Sequence, residues 1–450
     1  MKHIRNAMGI LAGVAIFVGI VHILNYLYKP TDDNNCRLIW HHYYEEEGKI
    51  TNLYLGSSHM YRDVDPRILN EMTGEYNFDL GSPGQILDGT FYLLREAERN
   101  NELKHVYVEM YYMCGTKDNF NKDKDPIDGR YTRNWQNTDN MRISINKLAY
   151  MLSCAESDQY IDILLPFSRY RAKLGDWKYV KNNIGVKNTE EYLAYRHDSE
   201  NETGAPMYLE HGFFGSTKMF TDQFKCYCQE RILEENPMGE KSKQYLCKII
   251  RYCQKRDIPI TLFISPIYEL RLISTMNYDN YTNEVRDIAE EYGIPFYDFN
   301  LAREEYLPIQ YGEYFTDGHH LNSAGAEMFT SFLGHVIQQE ESENEEYFYD
   351  SYAEKLREAS PAIYGIYYRD IEDTDEITEI TRTMYVASNR DEGMEYRIIL
   401  TPEEGEQYMV QDFEQNKEFT VPEGETGICT IVARMTDAPN DVVQTMEIDY

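Results

Sequence analysis

Ser58, Asp317 and His320 have the residue types of a nucleophilic serine site, although they come from opposite ends of the sequence. Ser58 ends a Gly-Ser-Ser tripeptide after an apolar run, and Asp317 and His320 bound an Asp-Gly-His-His tetrapeptide. A serine hydroxyl becomes nucleophilic when a histidine accepts its proton, and a carboxylate fixes the tautomer of that histidine. The spacing of three residues lets Asp317 fold back onto His320, and Gly318 would permit the tight turn. The residues therefore predict Ser-His-Asp chemistry on an acyl ester.

Alternating strand and helix patterns would place both motifs at one edge of a sheet. Strand-like runs occupy residues 50–55, 76–80, 105–112, 259–265 and 294–299, and helical patterns occupy residues 66–72, 86–100, 241–256, 283–292 and 323–338. This alternation predicts a five-stranded parallel sheet in a three-layer α/β/α fold of the flavodoxin-like type. Ligands bind at the carboxyl ends of the strands in such a sheet. Ser58 follows the first strand and His320 follows the fifth, so we expect them to meet there.

Composition changes along the chain predict further segments around this α/β domain, which we place at residues 35–340. Residues 114–237 interrupt the alternation with a polar, aromatic-rich insertion that should cover the site. An acidic linker follows at residues 341–361, and short alternating runs in residues 362–450 predict a small β-sandwich-like module of about 90 residues. We therefore expect the α/β domain to fold without the residues from about 360 onward.

The N-terminus predicts a membrane anchor. Residues 7–28 carry no charge, and such a helix crosses a hydrocarbon core of about 30 Å. Lys2 and Arg5 precede it and Asp32 and Asp33 follow it, which favours a cytoplasmic stub at residues 1–6. A cleaved signal peptide is the alternative, but the small-residue cleavage pattern is absent. We expect a single-pass protein of the cell membrane whose large domain is extracytoplasmic.

The charge balance and the cysteines narrow the classes of function. The chain has 450 residues and a formal net charge of −33, which repels phosphate backbones and argues against a nucleic-acid partner. The cysteines lack the spacing of a zinc site, so core thiols or one or two disulfides stay open. They are Cys36, Cys114, Cys154, Cys226, Cys228, Cys247, Cys253 and Cys429. His41 and His42 have little support as metal ligands, and we expect neither metal nor cofactor.

The two motifs resemble those of the SGNH (GDSL-type) hydrolases. The first block of that family is Gly-x-Ser after strand one, and its last is Asp-x-x-His before the final helix. On this resemblance Ser58 is the nucleophile, His320 the base and Asp317 its partner, while Ser57 stands where the family usually has Asp. The tail after His320, Leu-Asn-Ser-Ala-Gly, is also similar. The resemblance covers roughly residues 50–334, around the insertion.

The remaining two blocks of the family match less evenly. Gly81-Ser82-Pro83-Gly84 is similar to the Gly-x-x-Gly turn of the second block. It implies an oxyanion hole formed by the backbone N–H groups of Ser58 and Gly84. The third block offers an Asn side chain after strand three, and here Lys117 stands at that place. The third oxyanion donor is therefore in doubt.

The missing Asn makes the chain more similar to membrane-anchored relatives that act in alginate O-acetylation or teichoic-acid D-alanylation. That resemblance implies an acyl-ester hydrolase or O-acyltransferase acting on an acylated cell-envelope glycan. Two alternatives stay open: an inactive scaffold that partners a membrane-bound O-acyltransferase, and a general esterase or lipase. We expect His59 and His319 to line or support the site, and Arg62 and Asp63 to form a solvated or capping pair.

Overall fold

A computed structural model describes most of the chain. The described residues are 2–30, 34–116, 135–154, 160–196, 206–221, 225–229, 231–309, 312–368, 381–390, 392–422 and 424–450. Lys117, the candidate position of the third oxyanion donor, lies outside them, as do Asp32 and Asp33.

Five parallel strands form the central sheet, which confirms the α/β prediction. They are β1 (Asn52–Leu55), β2 (Asn77–Asp79), β3 (His105–Glu109), β4 (Ile260–Ile264) and β5 (Phe296–Asp298). Their order is β2-β1-β3-β4-β5, and each neighbouring pair is parallel. In register, Leu53 lies beside Phe78 on one side and Val106 on the other. All residues of β1 and β4 are buried, as continuous apolar strands require.

The helices connect and flank these strands. They are α1 (Lys2–Tyr28), α2 (Asn34–Glu45), α3 (Ser58–Asp63), α4 (Pro66–Thr73), α5 (Leu87–Asn100), α6 (Tyr112–Gly115), α7 (Ile145–Cys154), α8 (Tyr160–Leu164), α9 (Trp177–Lys187), α10 (Glu190–Leu193), α11 (Glu240–Gln254), α12 (Glu269–Ile273), α13 (Tyr278–Tyr292), α14 (Ser323–Val336) and α15 (Tyr352–Glu358). The residues at the two ends of α4 explain where this helix begins and ends. Asp65 accepts from the backbone N–H of Arg67 at its start, Pro66 is its first residue, and Gly74 ends it with φ +70°.

Alternate residues of the strands divide between two hydrophobic clusters. Leu53, Val106 and Leu262 belong to one cluster, which also contains apolar side chains of α2, α5, α11 and α13. Tyr54 and Phe263 belong to a second cluster with side chains of α4 and α14. Because successive side chains of a strand point to opposite faces, the sheet has apolar cover on each face.

Helix α2 was not predicted from the sequence. It follows α1 after a short connection and buries Trp40 and Tyr43 in the first cluster. The polar residues of α2 conceal this buried side in the sequence, although Cys36, Leu38 and Ile39 are also buried. His41 and His42 lie on this helix, where His41 stacks on Tyr195 with 3.5 Å between ring centroids.

The C-terminal region is all β, as predicted. Its strands are β6 (Ile363–Tyr368), β7 (Thr381–Ser388), β8 (Met394–Pro402), β9 (Tyr408–Glu414), β10 (Glu418–Pro422), β11 (Gly427–Met435) and β12 (Val442–Asp449). One antiparallel sheet has the order β9-β8-β11-β12. The other has β10-β7-β6, and Lys225–Gln229 of the insertion pairs with β6 in parallel. Strands β9 and β10 were missed because most of their described side chains are exposed or half-buried.

The acidic segment at residues 341–361 is packed more closely than a solvated linker. It contains short 3₁₀ helices, Glu341–Glu343 and Glu345–Tyr347, followed by α15. Tyr347 and Tyr352 are buried, and the ring of Tyr347 lies 5.8 Å from that of Phe332. These aromatic side chains are therefore buried, although the charged residues of the segment favour exposure to solvent.

The C-terminal region also contacts the α/β domain directly. Tyr367, Tyr385 and Ala387 belong to the same hydrophobic cluster as Tyr54 and Phe263. Removing the residues after 360 would expose this apolar surface and leave the strand Lys225–Gln229 without its partner.

We expect a protein that ends at residue 360 to keep one cooperative thermal transition at a lower midpoint, since the parallel sheet retains its own core. Circular dichroism melting of the full and shortened chains measures this. Loss of the cooperative transition would show that the two regions share one core.

Candidate active site

Ser58 is the first residue of α3, directly beyond the carboxyl end of β1. Ser57 caps this helix, because its Oγ accepts from the backbone N–H of His59 at 3.3 Å. A Cβ at Gly56 would lie 2.7 Å from Cβ of Glu109, so the turn needs a glycine there. The turn leaves the Ser58 side chain half-buried.

The structure brings the three predicted residues Ser58, His320 and Asp317 together. Ser58 Oγ and His320 Nε2 are 2.8 Å apart, although the residues are separated by 262 positions. His320 Nδ1 lies 3.0 Å from each carboxylate oxygen of Asp317. These distances allow His320 to accept the serine proton at Nε2 while Asp317 holds a proton on Nδ1.

Backbone hydrogen bonds shape the loop that carries Asp317 and His320. Asp317 Oδ1 accepts from the backbone N–H groups of His319 and His320, both at 2.9 Å. Asn322 caps α14 through Gly325 N–H at 3.0 Å. The loop is therefore tied to the start of α14. Gly318 does not adopt a positive φ and has open space around it, so the turn does not need a glycine there, contrary to the sequence-based argument.

The charges around the triad favour a neutral His320 beside an ionised Asp317. Burial lowers the pKa of His320, and the hydrogen bond that its Nδ1–H donates to Asp317 partly offsets this effect. Burial alone would raise the pKa of Asp317, but hydrogen bonds from His320 and the charges of His320 and Arg62 lower it well below its usual value. The base is therefore in the form that accepts a proton.

Arg62 is not the solvated residue that the sequence suggested. Its side chain is only 11% exposed, and Nη1 lies 3.9 Å from Asp317 Oδ2. Nη2 donates to Thr316 Oγ1 at 2.9 Å, which joins α3 to the loop that precedes Asp317.

Asp63 is also buried, so the prediction of a solvated or capping pair is wrong for this residue. Its Oδ1 accepts from the backbone N–H of Leu321 at 2.9 Å, and Oδ2 lies 3.1 Å from His59 Nδ1. Burial raises the pKa of Asp63 and lowers the pKa of His59, so it favours the neutral form of each group. Asp63 therefore holds α3 against the residue that follows His320.

His59 and His319 lie beside the triad. The ring centroids of His59 and His320 are 5.0 Å apart, and the ring of His59 lies 3.9 Å from that of Tyr111. His319 Nδ1 lies 2.8 Å from the hydroxyl of Tyr111. Tyr111, just after β3, thus connects the two histidines.

The turn of residues 81–84 approaches the nucleophile closely. A Cβ at Gly81 would lie 3.0 Å from the carbonyl oxygen of Ser57, and Ser82 N–H donates to the carbonyl of Gly56 at 3.2 Å. Gly84 has φ +58°, where glycine is favoured. Neither Ser58 N–H nor Gly84 N–H donates a hydrogen bond to any residue that the structure describes. Both groups are thus available as oxyanion donors.

Residues from two other segments support that turn, and sequence reasoning missed them. Asn137 of the insertion donates to Ser82 Oγ at 2.7 Å, and Ser82 Oγ donates to Gln85 at 2.8 Å. Trp40 of α2 donates to Asn137 Oδ1 at 3.0 Å. Asn137 is buried, so the insertion reaches into the base of the site. No motif marks these residues, since each acts through a partner distant in sequence.

Glu109 at the end of β3 contacts the residue before the nucleophile. Its Oε2 accepts from Ser57 Oγ at 3.0 Å and from Ser57 N–H at 3.3 Å. Burial raises the pKa of Glu109 to about 8. A carboxyl group from the neighbouring strand therefore lies beside Ser57, the residue that stands where the family usually has Asp.

Within the described ranges, no group of three or more His, Cys, Asp or Glu side chains is arranged to hold a metal ion. Cys253 and Cys429 are buried thiols, and burial raises the pKa of each to about 12. These two cysteines therefore belong to the cores of their regions.

Comparisons with known proteins add little to this geometry. No family model matches the chain, and no curated protein matches it. A solved structure from Streptococcus pneumonia, described as a "putative platelet activating factor", has 13% identity and a TM-score of 0.29. It covers 72% of this chain and 99% of its own. A Cellulomonas fimi endo-beta-1,4-mannanase double mutant has 10% identity and a TM-score of 0.17, covering 92% of this chain and 97% of its own. Likenesses at these levels carry no functional argument.

Proposed function

We propose that this protein is an SGNH-type serine enzyme that hydrolyses or transfers the acyl group of an ester. The observation that carries the proposal is the continuous contact from Ser58 Oγ through His320 to Asp317, with heavy-atom distances of 2.8 and 3.0 Å. The backbone N–H groups of Ser58 and Gly84 could in addition stabilise the negative charge on the oxyanion of the tetrahedral intermediate.

The reaction follows from this arrangement. Ser58 Oγ attacks the carbonyl carbon of the ester while its proton moves to His320 Nε2. The backbone N–H groups of Ser58 and Gly84 stabilise the oxyanion. Collapse releases the alcohol, which takes the proton from Nε2 and leaves an acyl group on Ser58. Water or a sugar hydroxyl then attacks the acyl group and gives its proton to His320 Nε2. His320 returns a proton to Ser58 Oγ as the acyl–serine bond breaks, which restores both residues.

We propose the three-layer, flavodoxin-like arrangement for the α/β domain. The order β2-β1-β3-β4-β5 and the two hydrophobic clusters support it. Ser58 follows β1 and the Asp317 loop follows β5, so the triad lies where such sheets bind ligands.

We also propose that α1 anchors the protein in the cell membrane and that the large domain is extracytoplasmic. Residues Arg5–Tyr28 are long and apolar enough to cross a bilayer, and a signal sequence has the same features. Retention of α1 is supported by its packing: Tyr179 and Asn183 donate to the carbonyls of Tyr28 and Leu27 at 3.0 and 3.1 Å. The domain therefore satisfies the last carbonyls of α1.

The substrate that we propose is an acylated cell-envelope polysaccharide. Its support is the resemblance to membrane-anchored O-acetylation and D-alanylation proteins, together with an anchor that would hold the site near the envelope. The alternative of an inactive scaffold for a membrane O-acyltransferase is favoured by one feature, the Lys at position 117 in place of the family Asn.

Turnover of p-nitrophenyl acetate by the full-length protein in detergent tests the proposal. We expect release of p-nitrophenol well above the rate of the buffer, because a small activated ester needs no glycan contacts. A folded protein that is inert on acetyl and longer acyl esters, yet co-purifies with a membrane acyltransferase, would favour the scaffold alternative.

A further inference from the structure

A cavity of about 530 Å³ lies where α1 meets the large domain, and its lining does not include Ser58, Asp317 or His320. Among the described residues, its basic lining residues are Lys29, Arg37, Arg142 and Lys187, and its acidic lining residue is Asp139. A local excess of positive charge stands out in a chain with a formal net charge of −33. Charge of this sign concentrates anions.

Two of these cations have no carboxylate partner among the described residues. Lys29 lies 2.9 Å from Asp139, and Arg142 pairs with Glu47 at 2.5 Å. By contrast, Arg37 lies over the ring of Tyr192 at 3.5 Å and donates to a backbone carbonyl. Lys187 is 4% exposed, and its ammonium donates to backbone carbonyls, including that of Tyr26 at 2.7 Å.

Lys187 has positive neighbours but no carboxylate partner among the described residues. Burial and the nearby charges of Lys29 and Arg37 lower its pKa to about 8. A phosphate group would supply the missing charge and could be bound by the planar guanidinium of Arg37 through two hydrogen bonds.

A second cavity of about 670 Å³ adjoins the first and is mainly apolar. Asn25 and Asp139 line both cavities, so the two meet near the last turn of α1. Its apolar lining includes Ile143 and Ile145, whose side chains are 96% and 86% exposed. Exposed apolar side chains beside a membrane span are typical of a surface in contact with lipid.

We propose that the two cavities together bind one anionic lipid, with its phosphate in the basic cavity at Arg37 and Lys187 and a hydrocarbon chain in the apolar cavity. Three observations agree on an amphiphile of this kind. They are two cations without a carboxylate partner among the described residues, the adjoining apolar lining, and the position at the end of α1, where headgroups lie if that helix spans the bilayer. This site does not depend on the esterase proposal.

Native mass spectrometry of the full-length protein, released from detergent with dioleoylphosphatidylglycerol, tests the site. We expect one bound lipid per chain, with dioleoylphosphatidylcholine binding more weakly because it carries no net charge. Arg37→Gln/Lys187→Gln should weaken phosphatidylglycerol binding roughly 30-fold, since each basic residue near the membrane surface contributes about fivefold. Lys248→Gln/Arg251→Gln on α11 changes the same charge at exposed positions and should leave binding unchanged.

Further measurements distinguish a lipid phosphate from free inorganic phosphate and provide a substitute for a variant that misfolds. Ile145→Ser/Leu148→Ser should weaken lipid binding but not binding of inorganic phosphate. Inorganic phosphate that binds as tightly as the lipid would overturn the proposal in favour of a free anion. If the double charge variant does not show a normal thermal transition, Arg37→Gln with Lys187→Arg replaces it. Unchanged binding by a folded charge variant, or a copurifying membrane protein with no lipid, would also overturn the proposal.

Discussion

Ser58→Ala and His320→Ala should each lower the turnover of a small acyl ester by on the order of 10³-fold or more. In the proposed mechanism, Ser58 Oγ donates its proton to His320 Nε2, 2.8 Å away, as the new bond forms. Without the hydroxyl there is no acyl intermediate, and without the imidazole the hydroxyl keeps its proton.

The double variant Ser58→Ala/His320→Ala should be scarcely slower than either single variant, because the two groups act as one unit. Steady-state rates on p-nitrophenyl acetate give all three values. Ser331→Ala and His335→Ala are matched controls on α14, and their rates should stay near wild type. If the fold-decrease in rate of the double variant equals the product of the two single fold-decreases, the residues act separately.

Asp317→Asn should lower turnover by roughly 10³-fold to 10⁴-fold while the protein folds normally. The amide cannot stabilise the imidazolium that forms when His320 accepts the proton, and it no longer fixes the tautomer with Nδ1 protonated. Asp287→Asn, an exposed change on α13, is the control.

The pH profile provides a second readout of this variant. Activity needs neutral His320, so kcat/KM should fall as pH drops through the pKa of that residue, which burial lowers below 6.5. Asp317 raises this pKa, and its replacement by Asn should move the acid limb to still lower pH. A limb that stays in place, or moves up, would show that Asp317 does not act on His320.

The three candidate residues could be predicted from the sequence because Ser58 lies just after β1 and His320 lies just before α14, two elements that the hydrophobic pattern reveals. The runs before Ser58 and the helix after His320 are strongly patterned, and a parallel sheet brings their ends together. Gly318 shows the limit of this reasoning, since the turn occurs without the positive φ that was assumed for it.

The groups that support the triad could not be predicted, because they depend on contacts between distant segments. Asp63 looked solvated beside Arg62, but α3 is covered by α14 and the carboxyl is buried. Asn137 lies in an insertion without a recognisable pattern, and its role depends on Trp40 and Ser82. Burial of such polar side chains follows from tertiary packing and not from local propensity.

The acidic segment near residue 345 was misjudged for a related reason. Its charges suggested a linker, whereas its aromatic rings bury against α14 and its neighbours. In the C-terminal region, β9 and β10 escaped notice because most of their side chains are exposed or half-buried.

Covalent labelling with a fluorophosphonate tests the central claim most directly, because it requires no knowledge of the natural substrate. Ser58 Oγ attacks phosphorus, fluoride leaves, and the serine proton passes to His320 and then to water. Mass spectrometry of the full-length protein should show one adduct, on the peptide that contains Ser58. The adduct should be absent from Ser58→Ala and form roughly 10²-fold or more slowly in His320→Ala. A folded wild-type protein that takes up no label, or takes it up at another serine with Ser58 unmodified, would contradict the account.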